Sequence, residues 1–275
     1  MNYYDNLMFQ YYRVLNNAWR AELKQAATLA ITLLYEARSG RPAASLTAAE
    51  VNQVMSIIGQ NLGTDFAAAV TAQTKTYIDR SLRLGIQDVR SELRGRVSIG
   101  LWGIQDQYAA SILEQQQLFW LGNHFDADIA SSFRATLQNA FAQGLTRDAL
   151  ADALKQQFQD LGAKSDPYWQ GLAEHTALRV REFGRLNGYE KAGAQYYRLV
   201  NPMDDRTSEI CRVLVGSGRI YPLAPALEVR DNLLAIDMKE EGLEAAREHI
   251  KALAPWVKDS QIERDAQGNP TGVSG

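Results

Sequence analysis

The sequence predicts a mainly α-helical protein with a small α+β unit toward its C-terminal end, long helices being followed by a helix packed on a β-hairpin. Three observations carry that reading. Residues 3–38 contain neither Gly nor Pro, and their apolar residues recur every three or four positions, the helical period. Most of the chain up to residue 193 is Ala-, Gln- and Leu-rich with the same periodicity. Only around 195–222 does the texture change, with β-formers at Tyr196, Tyr197, Leu199 and Val200, a polar cluster, and a Gly-Ser-Gly turn into Arg219-Ile220-Tyr221.

The elements follow in order. The first helix, residues 3–38, is closed by Ser39-Gly40-Arg41-Pro42. Thr47 and Glu50 have the spacing of a capping box ahead of Val51, Val54, Met55 and Ile58, and Gly59 and Gly63 are expected to interrupt or divide that helix. Helix resumes from Asp65 to about Arg94. Gly95 to Gly103 is a break, and a further helix runs to about Leu121. A separate amphipathic helix is expected over 126–143, and Thr146-Arg147-Asp148-Ala149 opens another that reaches Phe158. Asp166-Pro167 reads as an N-cap with Pro at the first helical position, starting a helix that Gly193 stops. After the β-containing stretch, 237–254 reads as one helix ended by Pro255. The polar residues from Arg264 onward read as a disordered tail. These elements suggest a helical domain over 1–162, an α+β unit over 163–256 and a tail over 257–275.

Composition narrows the function. A net charge of -3 and a pI near 5.7 argue against a protein that coats nucleic acid by bulk charge. The single cysteine, Cys211, cannot form an internal disulfide. No apolar run approaches the length of a membrane span, and the N-terminus lacks the basic and apolar segments of a secretory signal, so the expected setting is the cytosol or the inside of something assembled there.

The glycines within 166–193 suggest close approach of another element, most simply the hairpin of 204–221. Glu174, Arg181 and Arg185 lie at roughly helical spacing and could present charge to its loop. Cys211 with His175 as base would make a nucleophilic pair, but that needs the two within hydrogen-bond reach and a third group to orient the histidine, and a cysteine is more often a packed thiol. His124, His175, His249 and Cys211 show no zinc-ligand spacing. Asp204, Asp205 and Arg206 read either as an acid/base pair with an arginine clamp or as a loop-ordering cluster with Thr207. Arg80, Arg83, Arg90, Arg94 and Arg96 could meet phosphate or an acidic surface, or form a solvated face with Asp79, Asp88 and Glu92. The aromatic N-terminus (Tyr3, Tyr4, Phe9, Tyr11, Tyr12) reads equally as core and as docking surface.

A helix ending in Gly188-Tyr189-Glu190-Lys191-Ala192-Gly193, a strand, and then Asp204-Asp205-Arg206-Thr207-Ser208-Glu209-Ile210-Cys211 with Gly216 resembles the phage head morphogenesis family, the Mu protein F-like minor head proteins. Gln143-Gly144-Leu145-Thr146 between two helices resembles that family's lead-in, and the likeness covers roughly residues 120–222. Two departures stand out. The family loop usually has two cysteines, where this chain has Ser208 and Cys211, and the nearest match to its upstream helix signature is Glu174-His175-Thr176.

The resemblance implies a non-enzymatic minor capsid protein without cofactor or metal, resident in the virion interior or in host cytoplasm during assembly. Its partners would be the portal protein, the major capsid or scaffolding protein, or both, with DNA as a further candidate and no membrane, and it would be multicopy in the virion. Asp204, Asp205, Arg206, Thr207, Cys211, Gly216, Glu174 and His175 would be its structural or interaction residues. The alternatives are a secreted bacterial effector built on the same domain, with chemistry at Glu174, His175, Asp205 and Cys211, and a DNA-binding accessory protein.

Overall fold

The computed structural model describes residues 3–38, 47–94, 96, 99–100, 102–142, 147–200, 212, 215, 218, 220–253, 262–268 and 270–273. The protein is mainly α, with two small antiparallel two-stranded sheets among the described residues. Four long helices come first: α1 (Tyr3–Arg38), α2 (Ala48–Glu92), α3 (Ile104–Ala142) and α4 (Arg147–Lys191). Strands β1 (Tyr196–Arg198) and β2 (Ile220–Pro222) follow, then α5 (Leu223–Leu234), α6 (Met238–Glu241), α7 (Leu243–Leu253) and the pair β3 (Ile262–Arg264) and β4 (Pro270–Val273).

The capping box at the start of α2 is formed as its spacing predicts. Glu50 accepts from the Thr47 backbone N–H at 2.7 Å, and Thr47 Oγ1 accepts from the Glu50 N–H at 3.2 Å. Contrary to expectation, α2 runs unbroken through Gly59 and Gly63. Two mid-helix glycines cost about 1 kcal/mol each, and the burial of Ile58 and Phe66 on either side offsets that. The expected break between 121 and 126 is also absent, since α3 is one helix. Asp166-Pro167 starts no helix, because Pro167 lies inside α4. Tyr12 and Asn16 both donate to the Asp166 carboxylate, at 2.7 and 2.6 Å, and Trp169 is fully buried just beyond, so tertiary contacts carry the helix past the missing N–H. A cut at 162/163 therefore falls within a continuous helix.

By packing, the chain forms two compact units, residues 1–81 with 110–180 and residues 82–109 with 181–275. In the first, α1 buries Leu7, Tyr11, Leu15, Trp19 and Leu23, one residue per turn. Trp19, Phe66 and Trp169 form an aromatic triangle with centroids 5.2–5.9 Å apart. Tyr11 stacks on Tyr77 at 3.9 Å, and the Tyr77 hydroxyl donates to the Ala173 carbonyl. The N-terminal aromatics thus divide: Tyr11 is core, Tyr12 ties α1 to α4, and Tyr3 and Phe9 are exposed.

In the second unit, Ile86, Val89 and Ile99 form a core cluster with Leu93, Trp102, Tyr189 and Ala192 packed on it. Gly193 ends α4 as expected. Its φ of 68°, with Gly193 N–H bonded to the Glu190 carbonyl and Ala194 N–H to that of Tyr189, makes a Schellman cap. Strands β1 and β2 pair antiparallel with Tyr197 opposite Tyr221. Helix α5 was not anticipated. Its signals were Pro222 at the N-cap and Pro225 in the first turn, where the missing N–H costs no helical bond. The single helix expected over 237–254 is capped by Asp237 but divided at Gly242, whose φ of 79° no helix accommodates. The expected disordered tail contains the β3–β4 hairpin. Asp265 accepts from the Gln267 N–H, and Gly268 has a φ of 85°, so turn chemistry forms a hairpin where composition signals only polarity.

Candidate functional site

The C-terminal half of α4 carries the residues the sequence singles out, and it splits into two environments. Glu174 and His175 are both exposed, while Ala173, Thr176 and Ala177 on the opposite face are buried. Thr176 donates to Gln117, and Arg179 to Gln116, both on α3. Asp204, Asp205, Arg206, Thr207, Cys211 and Gly216 lie outside the described residues. Among the described residues, no three His, Cys, Asp or Glu side chains gather as a metal-holding group.

From Arg181 onward α4 belongs to the second unit, and its glycines meet α2. A Cβ on Gly184 would lie 2.1 Å from the Leu82 carbonyl oxygen, and one on Gly85 would lie 2.0 Å from that of Arg181. At Gly188 the same atom would touch Val89 at 3.0 Å. The close approach inferred from these glycines is real, but the element that makes it is α2 and not the hairpin. The crossing is flanked by charge. Arg181 donates to Asp88 at 2.6 Å, and Arg185 pairs with Glu92 at 2.8 Å. Tyr189 donates to Glu92 at 2.6 Å, and burial together with that bond pushes its hydroxyl up to about 12. Arg181 and Arg185 thus pair with α2; the 204–211 loop they were expected to face lies outside the described residues.

One turn further on lies a buried polar node that the sequence did not reveal. Asp106, fully buried near the start of α3, accepts from the Gly103 N–H at 2.8 Å, from Asn187 at 3.0 Å, and from Lys191. Arg230 of α5 reaches in to donate to Asn187 at 2.9 Å and Glu190 at 2.6 Å, and pairs with Asp231. Burial alone would raise the Asp106 carboxyl, but the bonds from Gly103, Lys191 and Asn187 outweigh it and hold it below the usual carboxylate value. The node joins α3, α4 and α5, and so fixes the helix from which β1 emerges. The sequence signal was the spacing Asn187, Glu190, Lys191, which puts three polar groups on one side of the last turn.

The base of the 199–219 segment is held on both sides. Tyr197 and Tyr221 face each other with centroids 5.8 Å apart, and burial followed by the neighbouring Tyr221 pushes Tyr197 up to about 12. The Leu223 N–H bonds the Gln195 carbonyl. The basic stretch of α2 is partly consumed by its own loop. Arg90 donates to the carbonyls of Ile99 and Gly100, and Arg83 stacks 3.8 Å over Trp102.

The described part of the site is thus an α-helical scaffold ending in two short paired strands. No protein-family model, curated protein or solved structure matches the chain.

Proposed function

We propose that the protein is a minor head component of a phage or prophage, binding the portal or the inner capsid face during head assembly. The observation that carries this reading is the order of features at 188–222. A glycine-capped helix leads into a strand, then into the Asp204-Asp205-Arg206-Thr207 segment with Cys211 and Gly216, and then into a second strand paired with the first. That order resembles the Mu F-like minor head proteins. A buried ionic node and a glycine-mediated crossing on the helix that leads into the paired strands are what a segment presented to a partner needs as support.

The role is assembly and not catalysis. Glu174 and His175 are both exposed on α4, where a partner surface can reach them. The test is co-expression with the portal protein encoded nearest to it, followed by size exclusion with light scattering. A stoichiometric complex that Asp205→Ala or Arg206→Ala weakens is the expected result. A chain that stays monomeric beside portal and capsid subunits overturns the proposal.

A further inference from the structure

In the first unit, α1 and the N-terminal part of α4 enclose a groove of about 380 Å³. Its floor is apolar and small: Leu23, Ala27 and Ile31 from α1, and Gly162 from α4. Its rims carry Arg20 and Lys24 on one side and Lys155 on the other, and no acidic side chain lines it among the described residues. Arg20 has Asp166 at 3.8 Å and Lys155 has Asp152 at 4.0 Å, both in solvent-facing pairs that hold weakly. Three cations around an apolar floor stand out in a chain whose net charge is -3.

We propose that this groove docks an amphipathic helix of another protein, one whose apolar stripe is flanked on both sides by Asp or Glu. The walls are helix ridges: residues 20, 24 and 28 and residues 23, 27 and 31 on α1, and 155, 159 and 162 on α4, all at the i, i+4 or i+3 spacing into which a third helix sets its own ridge. Arg20 to Ile31 spans roughly 16 Å of helix axis. The volume over that length gives a cross-section of about 24 Å², room for one row of side chains and not for a whole helix. Gly162 sets the depth. A Cβ there would meet Arg20 and Leu23 side-chain carbons at 3.7 Å, so any longer side chain would occupy the space the incoming row needs. The charge on both rims selects an acidic helix and orients it along the groove. Docking here is independent of the head-assembly reading, because any partner bearing such a helix satisfies it.

The test presents the full-length protein to a displayed library of helical peptides, apolar at i, i+4, i+7 and i+11 and randomised elsewhere, and measures the selected peptides by fluorescence anisotropy. The expected peptides carry acidic residues on both flanks. They bind roughly tenfold more weakly to Lys24→Glu/Lys155→Glu, and the same peptides with lysine flanks recover binding to that variant. Gly162→Met weakens them without changing the circular dichroism spectrum, and should it lower Tm, the two lysine substitutions decide. An empty selection, peptides without acidic flanks, or affinities that the lysine variants leave unchanged overturn the proposal. So does a groove that takes up dodecanoate, read by displacement of an anilinonaphthalene sulfonate probe, while binding none of the peptides.

Discussion

Replacing Gly184 by alanine puts a methyl carbon 2.1 Å from the carbonyl oxygen of Leu82. An ordinary carbon–oxygen contact is about 3.3 Å or more, so α2 and α4 must part by more than about 1 Å where they cross. Neither side can yield by rotating a side chain, because the opposing atom is backbone. Separation also loosens the Gly188–Val89 contact and lengthens the Arg181–Asp88 and Arg185–Glu92 pairs. Overpacking costs about 1–3 kcal/mol, and backbone against backbone belongs at the top of that range. The helix propensity of alanine returns about 1 kcal/mol. The net expectation is a loss of about 2 kcal/mol, or roughly 4–8 °C in Tm for a chain of this size.

Gly171 supplies the control. It is exposed on the same helix, with no atom within 4 Å of a Cβ built there, so Gly171→Ala gains about 0.5–1 kcal/mol with the same change to the unfolded chain. Urea denaturation followed by circular dichroism reads both variants. Opposite signs are expected. A Gly184→Ala protein as stable as the parent would refute the close crossing. Gly85→Ala tests the same contact from α2, and the double variant should lose less than the sum of the singles, because helices already parted accommodate the second methyl.

Three further predictions concern the node and the caps. Asp106→Ala removes the carboxylate that accepts from Lys191, the Asn187 amide and the Gly103 N–H, and a broken buried pair costs about 3–5 kcal/mol, read as a lowered urea midpoint; a midpoint within error of the parent would remove the node from the account of stability. Because the folded state holds the Asp106 pKa below its unfolded value, the stability it contributes is complete above about pH 4 and is lost as pH falls through the lowered pKa. Stability curves of the parent and Asp106→Asn should therefore converge in acid below about pH 4 and diverge above it, and a constant gap would contradict this. Thr47→Ala removes the cap at the start of α2 and should cost about 1 kcal/mol, measured by thermal melting, with Glu50→Ala similar and the pair less than additive.

Much of the architecture was legible because it is local. The apolar period of 3–38, the Thr47/Glu50 box, the Gly193 stop and the Tyr196–Tyr197 strand each depend on residues within a few positions of one another, and each appears where the spacing puts it. The same local signals failed wherever packing outweighed them. Gly59, Gly63 and Pro167 are breakers by propensity, yet the helices run through them, because a turn held by buried Ile58 and Phe66, or by Tyr12, Asn16 and Trp169, recovers more than about 1–3 kcal/mol.

Of the candidate residues, the sequence alone determined their kinds and the helix that carries Glu174, His175, Arg181 and Arg185. It could not determine what those side chains meet. Arg181 and Arg185 face Asp88 and Glu92, some ninety positions upstream, and Asp106, Asn187 and Arg230 come together from three helices. Glycine at 85 and 184 says only that something approaches, and the tertiary structure decides that each glycine receives the other helix's backbone. The reason is physical: periodicity records which face of a helix is buried, whereas the partner of that face depends on how distant segments pack, and no spacing along one segment encodes it.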